Sequence, residues 1–297
     1  NKNVMHACGH DAHVAVLLGV CKVLNNFKDK FGGVVKAVFQ PGEETSGGAL
    51  PMIEEGVLEN PHTDVCVALH CDSDLDCGTI RVKPGSLYAS PDDFRITVKG
   101  KGGHGAEPHN CIDPIMISAS IIQALNNLIS RETDPFDNAV ISIGSIHGGS
   151  ATNIIPDSVE IQGTARSLTN EIRSFLKKRI GETAEGICKT FGAECEYEYT
   201  ELFPPLINDE KLAEDVYDSA CRSIGKDKCV WGGAPTMAGE DFSYFSQNRP
   251  SVLFKLGCRN KSLGIVSLIH HSSFDIDENC LKTGVKVFVG FVLDYLN

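Results

Sequence analysis

The sequence contains no stretch of about 18 or more apolar residues, so no membrane-spanning helix and no membrane partner are expected. No stripe of Lys and Arg stands out either. The 27 basic residues face 39 acidic ones, a formal net charge of -12. That balance keeps the chain in solution and gives no footprint for nucleic acid, so a small-molecule substrate is the expectation. There is no CxxC pair, and the twelve cysteines are scattered singly. The tight disulfide framework of small secreted domains is therefore absent, and a reducing, cytoplasmic setting is expected. The first residues carry no secretory h-region. They open directly on a motif with Asn1 in place of Met, which reads as a fragment lacking an N-terminal part. Internal repeats and low-complexity tracts are also missing. What remains is a chain of 297 residues, 42% hydrophobic, long enough to bury a sizeable core and to form two domains.

Apolar residues recur at helical spacing from Val14 to Phe27, and a strand-like run, Val34-Val-Lys-Ala-Val-Phe39, predicts a buried strand ended by Pro41-Gly42. Ala49 to Glu55 reads as a short helix and Val65 to Leu69 as a second buried strand that ends on His70. Strands separated by helices predict an α/β layer with a mixed, largely parallel sheet. The pattern then changes. Phe94 to Lys99 alternates at period two, Pro114 to Ile129 is helical, and Ala139 to Ile146 and Val159 to Ala165 read as strands. Glu171 to Phe191 is a long amphipathic helix, and Cys195 to Thr200 alternates again. This β-α-β-β-α-β order is that of a ferredoxin-like α+β domain. The expected organisation is thus a catalytic domain in two parts, residues 1-89 and 203-297, interrupted by an inserted domain over residues 90-202. Helices over Lys211 to Ile224 and Leu281 to Tyr295, with a strand over Val252 to Leu256, complete the outer domain.

The densest chemistry lies in His6-Ala-Cys8-Gly-His10-Asp11-Ala-His13, with three imidazoles, a thiol and a carboxylate in eight positions. Thiolate, imidazole and carboxylate are the ligands of borderline transition metals, and Cys8 and His10 flank a glycine that lets them converge. A thiol nucleophile with a histidine base, or solvated loop histidines, remain alternatives at this point. Gln40-Pro41-Gly42-Glu43-Glu44 follows a predicted strand, where open α/β sheets place their sites. Adjacent carboxylates there can divide into a cation ligand and a proton acceptor, although such a pair is more often merely solvated. His70, after an apolar strand, and His270-His271 near the C-terminus carry little weight alone. In the inserted domain, Gly102-Gly-His104-Gly-Ala-Glu-Pro-His109 presents a histidine from a glycine-rich loop without the Lys-Ser/Thr of a phosphate loop. Asn153 and Arg166 are polar residues suited to a carbonyl oxygen or a carboxylate.

Taken in order and spacing, Met5-His-Ala-Cys-Gly-His-Asp-Ala-His13, Phe39-Gln-Pro-Gly-Glu-Glu44, Ala68-Leu-His70, Gly102 to His109 and Thr152-Asn-Ile-Ile-Pro-Asp157 resemble one known group. It is the hippurate hydrolase and N-acyl-amino-acid amidohydrolase group of dinuclear aminoacylase and carboxypeptidase-type metallopeptidases. The resemblance covers essentially the whole chain. It implies a catalytic α/β domain interrupted by a ferredoxin-like lid that also forms a homodimer. Two divalent cations (Mn, Zn, Co or Ni) are implied, with Cys8 bridging them, Glu44 and His270 completing one site, and His10 and His70 completing the other. Glu43 is implied as general base and acid. His104 is implied at the oxyanion, and Asn153 and Arg166 on the substrate. Two departures stand out. Members of the group carry a further segment before the first motif, and Ser272 stands where they often have Pro, which leaves His270 and His271 to be distinguished by spacing to Phe274. Three other readings make different predictions. A cysteine hydrolase would be indifferent to metal, an exopeptidase would need a free α-amine on its substrate, and an inactive homologue acting as a binding protein would be indifferent to Glu43→Ala.

Overall fold

The computed structural model of the protein describes residues 4-45 and 47-297; Asn1, on which the expectation of a fragment rests, lies outside them. The chain is a mixed α/β protein of two compact units. One comprises the chain up to Leu87 together with Ile207–Ala234 and Asp241–Asn297; the other comprises Tyr88–Leu206 and Pro235–Glu240. In chain order the first unit begins with α1 (His10–Asn25), α2 (Ala49–Glu54), β1 (Cys66–Asp76), β2 (Ile80–Val82) and β3 (Gly85–Tyr88). The second contains β4 (Ser90–Lys99), β5 (Gly103–His104), α3 (Pro114–Asn127), β6 (Ala139–Gly148), β7 (Ile154–Ile155), β8 (Ser158–Ser167), α4 (Asn170–Thr190) and β9 (Glu194–Thr200). The chain then returns through β10 (Leu206–Asn208), α5 (Glu210–Ile224), β11 (Cys229–Trp231), α6 (Ser243–Asn248), β12 (Ser251–Arg259) and α7 (Asn279–Tyr295). Among the described residues no helix is long and apolar enough to cross a membrane. All twelve cysteines are free thiols.

The sheet of the first unit has the order β1-β12-β2-β11. β12 runs parallel to β1 and antiparallel to β2, and β11 is parallel to β2. Val252, Leu253 and Phe254 of β12, which point to alternate faces, are all buried, as a central strand covered on both faces requires. α1 packs Ala12, Val16, Val20 and Leu24 into the same core, one residue per turn on a single stripe. α5 starts on Asp209, whose carboxylate accepts the Leu212 amide proton at 2.8 Å, the usual satisfaction of an open helix start.

Two expectations are corrected here. Residues 34-39 lie in no strand ladder among the described residues. The segment is held by side chains instead: Lys36 Nζ donates to the carbonyls of Val57 (2.6 Å), Glu59 (3.0 Å) and Pro61 (2.8 Å), and Val38 packs on the small cluster of Ala49, Leu58 and Phe245. Val34 and Phe39 therefore stay exposed. The second correction concerns His70, which lies inside β1. The pairing with β12 continues past it through Cys71↔Leu256 and Asp72↔Gly257, so the imidazole projects from a backbone fixed on both sides.

In the second unit β4 pairs antiparallel with both β8 and β9, and β6 with β8, giving the order β6-β8-β4-β9 with α3 and α4 packed on it. The core alternates strictly along β4, with Phe94, Ile96 and Val98 buried. A carboxylate is sunk completely into this unit. Asp92 is fully buried and accepts from Arg173 Nε and Nη2 at 2.7 Å each, from the Tyr199 hydroxyl at 3.0 Å and from the Leu202 amide at 3.0 Å. Removing one partner of such a network leaves the other charge unpaired in the interior. Asp92→Ala is expected to cost about 3–5 kcal/mol in unfolding free energy, read by denaturant titration of the two proteins; a loss below about 1 kcal/mol would show the network to be dispensable.

Candidate metal centre

Four segments of the first unit meet at one point. The first is the turn before α1, where Gly9 adopts φ 79°. A side chain there would be strained, and a Cβ would also press within 3.1 Å of the Cys71 Cβ and Sγ. Glycine thus lets the turn lie flat on β1, with Cys8 Sγ 3.5 Å from His70 Nε2. The second is the loop after residue 40, which carries Glu43 and Glu44. Its neck is narrow: a Cβ on Gly48 would sit 1.9 Å from the Pro41 carbonyl oxygen. Both ends are tied to the fully buried Asp241, which accepts from Gln40 Nε2 at 2.6 Å and from the Ala49 amide at 3.1 Å. The third is β1 with His70. The fourth is the segment of His270, whose amide donates to the Ala7 carbonyl at 2.6 Å and whose φ of 67° is unusual for a side chain of this size. Such backbone strain persists only where surrounding contacts over-determine it.

These segments bring the polar atoms together. His10 Nε2 lies 3.8 Å from Glu43 Oε2 and 3.9 Å from Glu44 Oε1, and His270 Nε2 is 3.0 Å from Glu44 Oε1. His271 turns elsewhere, pairing through Nδ1 with the Ser273 hydroxyl at 2.7 Å. Four trios of donor atoms each fall within 4.8 Å of one another: Cys8/His10/His70 and Cys8/Glu44/His270, which share Cys8, and His10/Glu43/Glu44 and Glu43/Glu240/Asp241, which share Glu43. Ligands of one cation with bonds of about 2.0–2.3 Å must lie this close. Sulfur, imidazole nitrogen and carboxylate oxygen together match zinc and its neighbours better than calcium or magnesium, which take oxygen ligands alone.

The electrostatics favour neutral, ligand-ready imidazoles. Burial pushes the His70 imidazole well below its ordinary value, helped by Lys255, its neighbour across the ladder. Burial likewise lowers His10, against the opposing pull of Glu44, and lowers His13 to about 3. His70 Nδ1 donates to the Cys71 carbonyl at 2.7 Å, which leaves Nε2 unprotonated and facing the cluster.

The remaining candidates belong to the second unit. His104 of β5 pairs with Ile154 of β7, and the next amide, Gly105, donates to the Asn153 carbonyl at 2.8 Å, so His104 and Asn153 are neighbours. His104 Nδ1 accepts from the Ala106 amide at 3.1 Å, which puts its proton on Nε2 and makes that atom a donor. Arg166 lies on β8, where its Nη1 donates to Thr164 Oγ1 and reaches the Asp92 and Ala165 carbonyls at 3.4 Å. Sequence reasoning assigned no role to Asp241, Cys71 or His13. His13 did stand in the densest motif, at a spacing of three from His10 on a helix; Cys71 and Asp241 carried no signal.

Residues 1–294 match the peptidase family M20/M25/M40. Thermostable carboxypeptidase 2 of Saccharolobus solfataricus is 40% identical over 299 positions, covering 100% of this chain and 75% of that protein. N-acetyldiaminopimelate deacetylase of Bacillus velezensis is 36% identical, covering 99% and 76%. The crystal structure of the Bacillus subtilis YXEP protein, described as a dinuclear metal-binding peptidase of family M20, superposes with a TM-score of 0.82 at 31% identity, covering 98% of this chain and 73% of that one. The chain belongs to peptidase family M20/M25/M40, and it is a hydrolase.

Proposed function

We propose that the protein hydrolyses the amide bond of N-acyl amino acids, hippurate-like, N-acetyl or N-acetyl-diaminopimelate-like, with two divalent cations (Mn, Zn, Co or Ni). The observation that carries this reading is the pair of donor trios joined at Cys8. Cys8 would serve both cations, with Glu44 and His270 holding one and His10 and His70 the other. Both the deacetylase relative and the dinuclear description of the YXEP protein support it. When bound, such cations supply Lewis acidity at the amide carbonyl and a hydrolytic water at neutral pH. Glu43, on the same loop as Glu44 but outside the two trios that share Cys8, would take a proton from the attacking water and return it to the departing amine. His104 donates from Nε2 to the carbonyl oxygen as negative charge develops there. Asn153 and Arg166 hold the substrate, Arg166 at its carboxylate.

The inserted unit serves as a lid whose closure excludes water and as the surface of a homodimer. Its edge strand β6 exposes Val140 and Ile146, the kind of face a second copy covers. A carboxypeptidase-like relative makes free-amine peptides the competing substrates. The test is elemental analysis together with amine release from N-acetyl and N-benzoyl amino acids, N-acetyl-diaminopimelate and unblocked dipeptides. About two cations per chain and turnover of acylated substrates only is the expected result. Turnover confined to dipeptides would reassign the protein as an exopeptidase, and turnover unaffected by chelation would remove the metals from the reading.

A further inference from the structure

His13, like His6 of the same motif, stands in neither donor trio joined at Cys8, yet it is wedged beneath the site. Its ring centroid lies 4.8 Å from that of His70 and 5.3 Å from that of His10. It sits on the first turns of α1, where its amide donates to the Gly9 carbonyl at 3.1 Å. Its Nε2 accepts the Cys71 amide proton at 2.9 Å. The carbonyl of the same residue, Cys71, accepts from His70 Nδ1 at 2.7 Å. Both main-chain polar groups of Cys71 are therefore engaged by imidazoles, one on each side of the strand residue that follows His70. The outward end of this chain is His70 Nε2, 3.5 Å from Cys8 Sγ.

We infer that His13 is a positioning residue: by holding the Cys71 amide it fixes the His70–Cys71 peptide, and with it the backbone from which His70 projects and presents Nδ1 to the Cys71 carbonyl, and so the tautomer and aim of the His70 imidazole. The inference rests on the dinuclear reading only for what His70 then binds. The coupling is local and geometric. A β-strand amide at the open edge of a sheet has no ladder partner on that side, and β1 is an edge strand in the order β1-β12-β2-β11. The ladder with β12 holds the other edge of this backbone; the Cys71 amide on the open edge is held by His13 alone, and without that acceptor the peptide beside the ligand histidine loses its fixed direction. An acceptor at the position of His13 Nε2 removes that freedom. Glutamine places its amide oxygen near that position; asparagine is too short to reach it, and leucine has no acceptor.

Two readouts separate this inference from the metal reading itself. In the metal-free protein, two-bond ¹⁵N–¹H spectra of the imidazoles are expected to show His70 solely as the Nδ1–H tautomer in wild type and in His13→Gln, and as a tautomer mixture in His13→Leu and His13→Asn. In competition titrations with a chromophoric chelator, the site holding His70 is expected to weaken by about 10–100-fold in His13→Leu and His13→Asn, and by no more than a few-fold in His13→Gln. The second site should be unchanged. A single His70 tautomer in folded His13→Leu or His13→Asn overturns the inference whatever the metals do. Equal weakening in the glutamine and leucine variants overturns it as well, because the acceptor would then be irrelevant. Asparagine keeps the test open should leucine prevent folding. A wild-type protein that binds no metal refutes the dinuclear reading alone, and the tautomer spectra still decide the role of His13.

Discussion

Glu43→Gln is expected to lower kcat for N-acyl amino acid hydrolysis by about 10²–10⁴-fold while leaving both cations bound. The substitution keeps size and hydrogen bonding but removes the group that accepts and returns a proton. Glu43 Oε2 lies 3.8 Å from His10 Nε2 and its carboxylate belongs to neither trio joined at Cys8, whereas Glu44 Oε1 is 3.0 Å from His270 Nε2. Two neighbours on one loop thus face different tasks. The loop is folded back on itself by Thr45 and Gly47 amides donating to the Gly42 carbonyl at 3.2 and 3.0 Å, and pinned at its ends by Asp241. That rigidity is what allows one carboxylate to be committed to a cation and the next held apart from it. The control is Glu44→Gln, which is expected to lose metal first and activity in consequence. Steady-state amine release and elemental analysis on the same preparations distinguish the two. A Glu43→Gln enzyme within about threefold of wild type, or one stripped of metal, would remove the acid–base role from this residue.

The elements that could be read from the sequence are those whose burial imposes a period. Phe94 to Lys99 alternates because one face of β4 packs on α3 and α4 while the other does not, and the α4 sequence keeps Leu176, Ile180, Ala184 and Cys188 on one stripe for the same reason. Short strands such as β2, β11 and β10 span three residues each, too few to establish a period. The strand-like run Val34 to Phe39 shows the limit from the other side. Hydrophobicity is a local property, but membership of a sheet depends on a neighbour, and here Lys36 and three carbonyls take the place of a ladder. The site divides along the same line. Residues whose chemistry is in the side chain, Cys8, His10, Glu43, Glu44, His70 and His270, announce themselves by type and clustering. Cys71 acts through its main chain, which any residue offers, and Asp241 through a carboxylate 200 positions from the loop it holds. His13 hides among ligand-like neighbours, because nothing in its spacing separates an imidazole that faces a cation from one that accepts an amide proton.

Cys8→Ala should be the most damaging single change to the metal centre, because it alone removes a donor from both Cys8/His10/His70 and Cys8/Glu44/His270. Of the two trios that share Cys8, His70→Ala takes a ligand from the one with His10 and Glu44→Gln from the one with His270. Each should weaken one site and leave the other close to wild type. Loss of the shared thiolate is expected to weaken both by more than the roughly 10–100-fold that follows from disturbing an outer partner, so that a preparation dialysed against a weak chelator retains neither cation. Cys8→Ser tests whether sulfur is needed for this, since a hydroxyl is a poorer ligand for borderline metals and does not ionise near neutral pH. The same variants also address a thiol nucleophile. If Cys8 attacked the amide directly, Cys8→Ala would abolish turnover while the metal content stayed at the wild-type level, and alkylation of the thiol would do the same. Cys8 is buried with its sulfur 3.5 Å from His70 Nε2, a geometry open to either chemistry. The metal count of the alanine variant therefore carries the decision. Retention of both cations would mean that the convergence at Cys8 is not a bridge, and loss of one alone would place the thiolate on a single site.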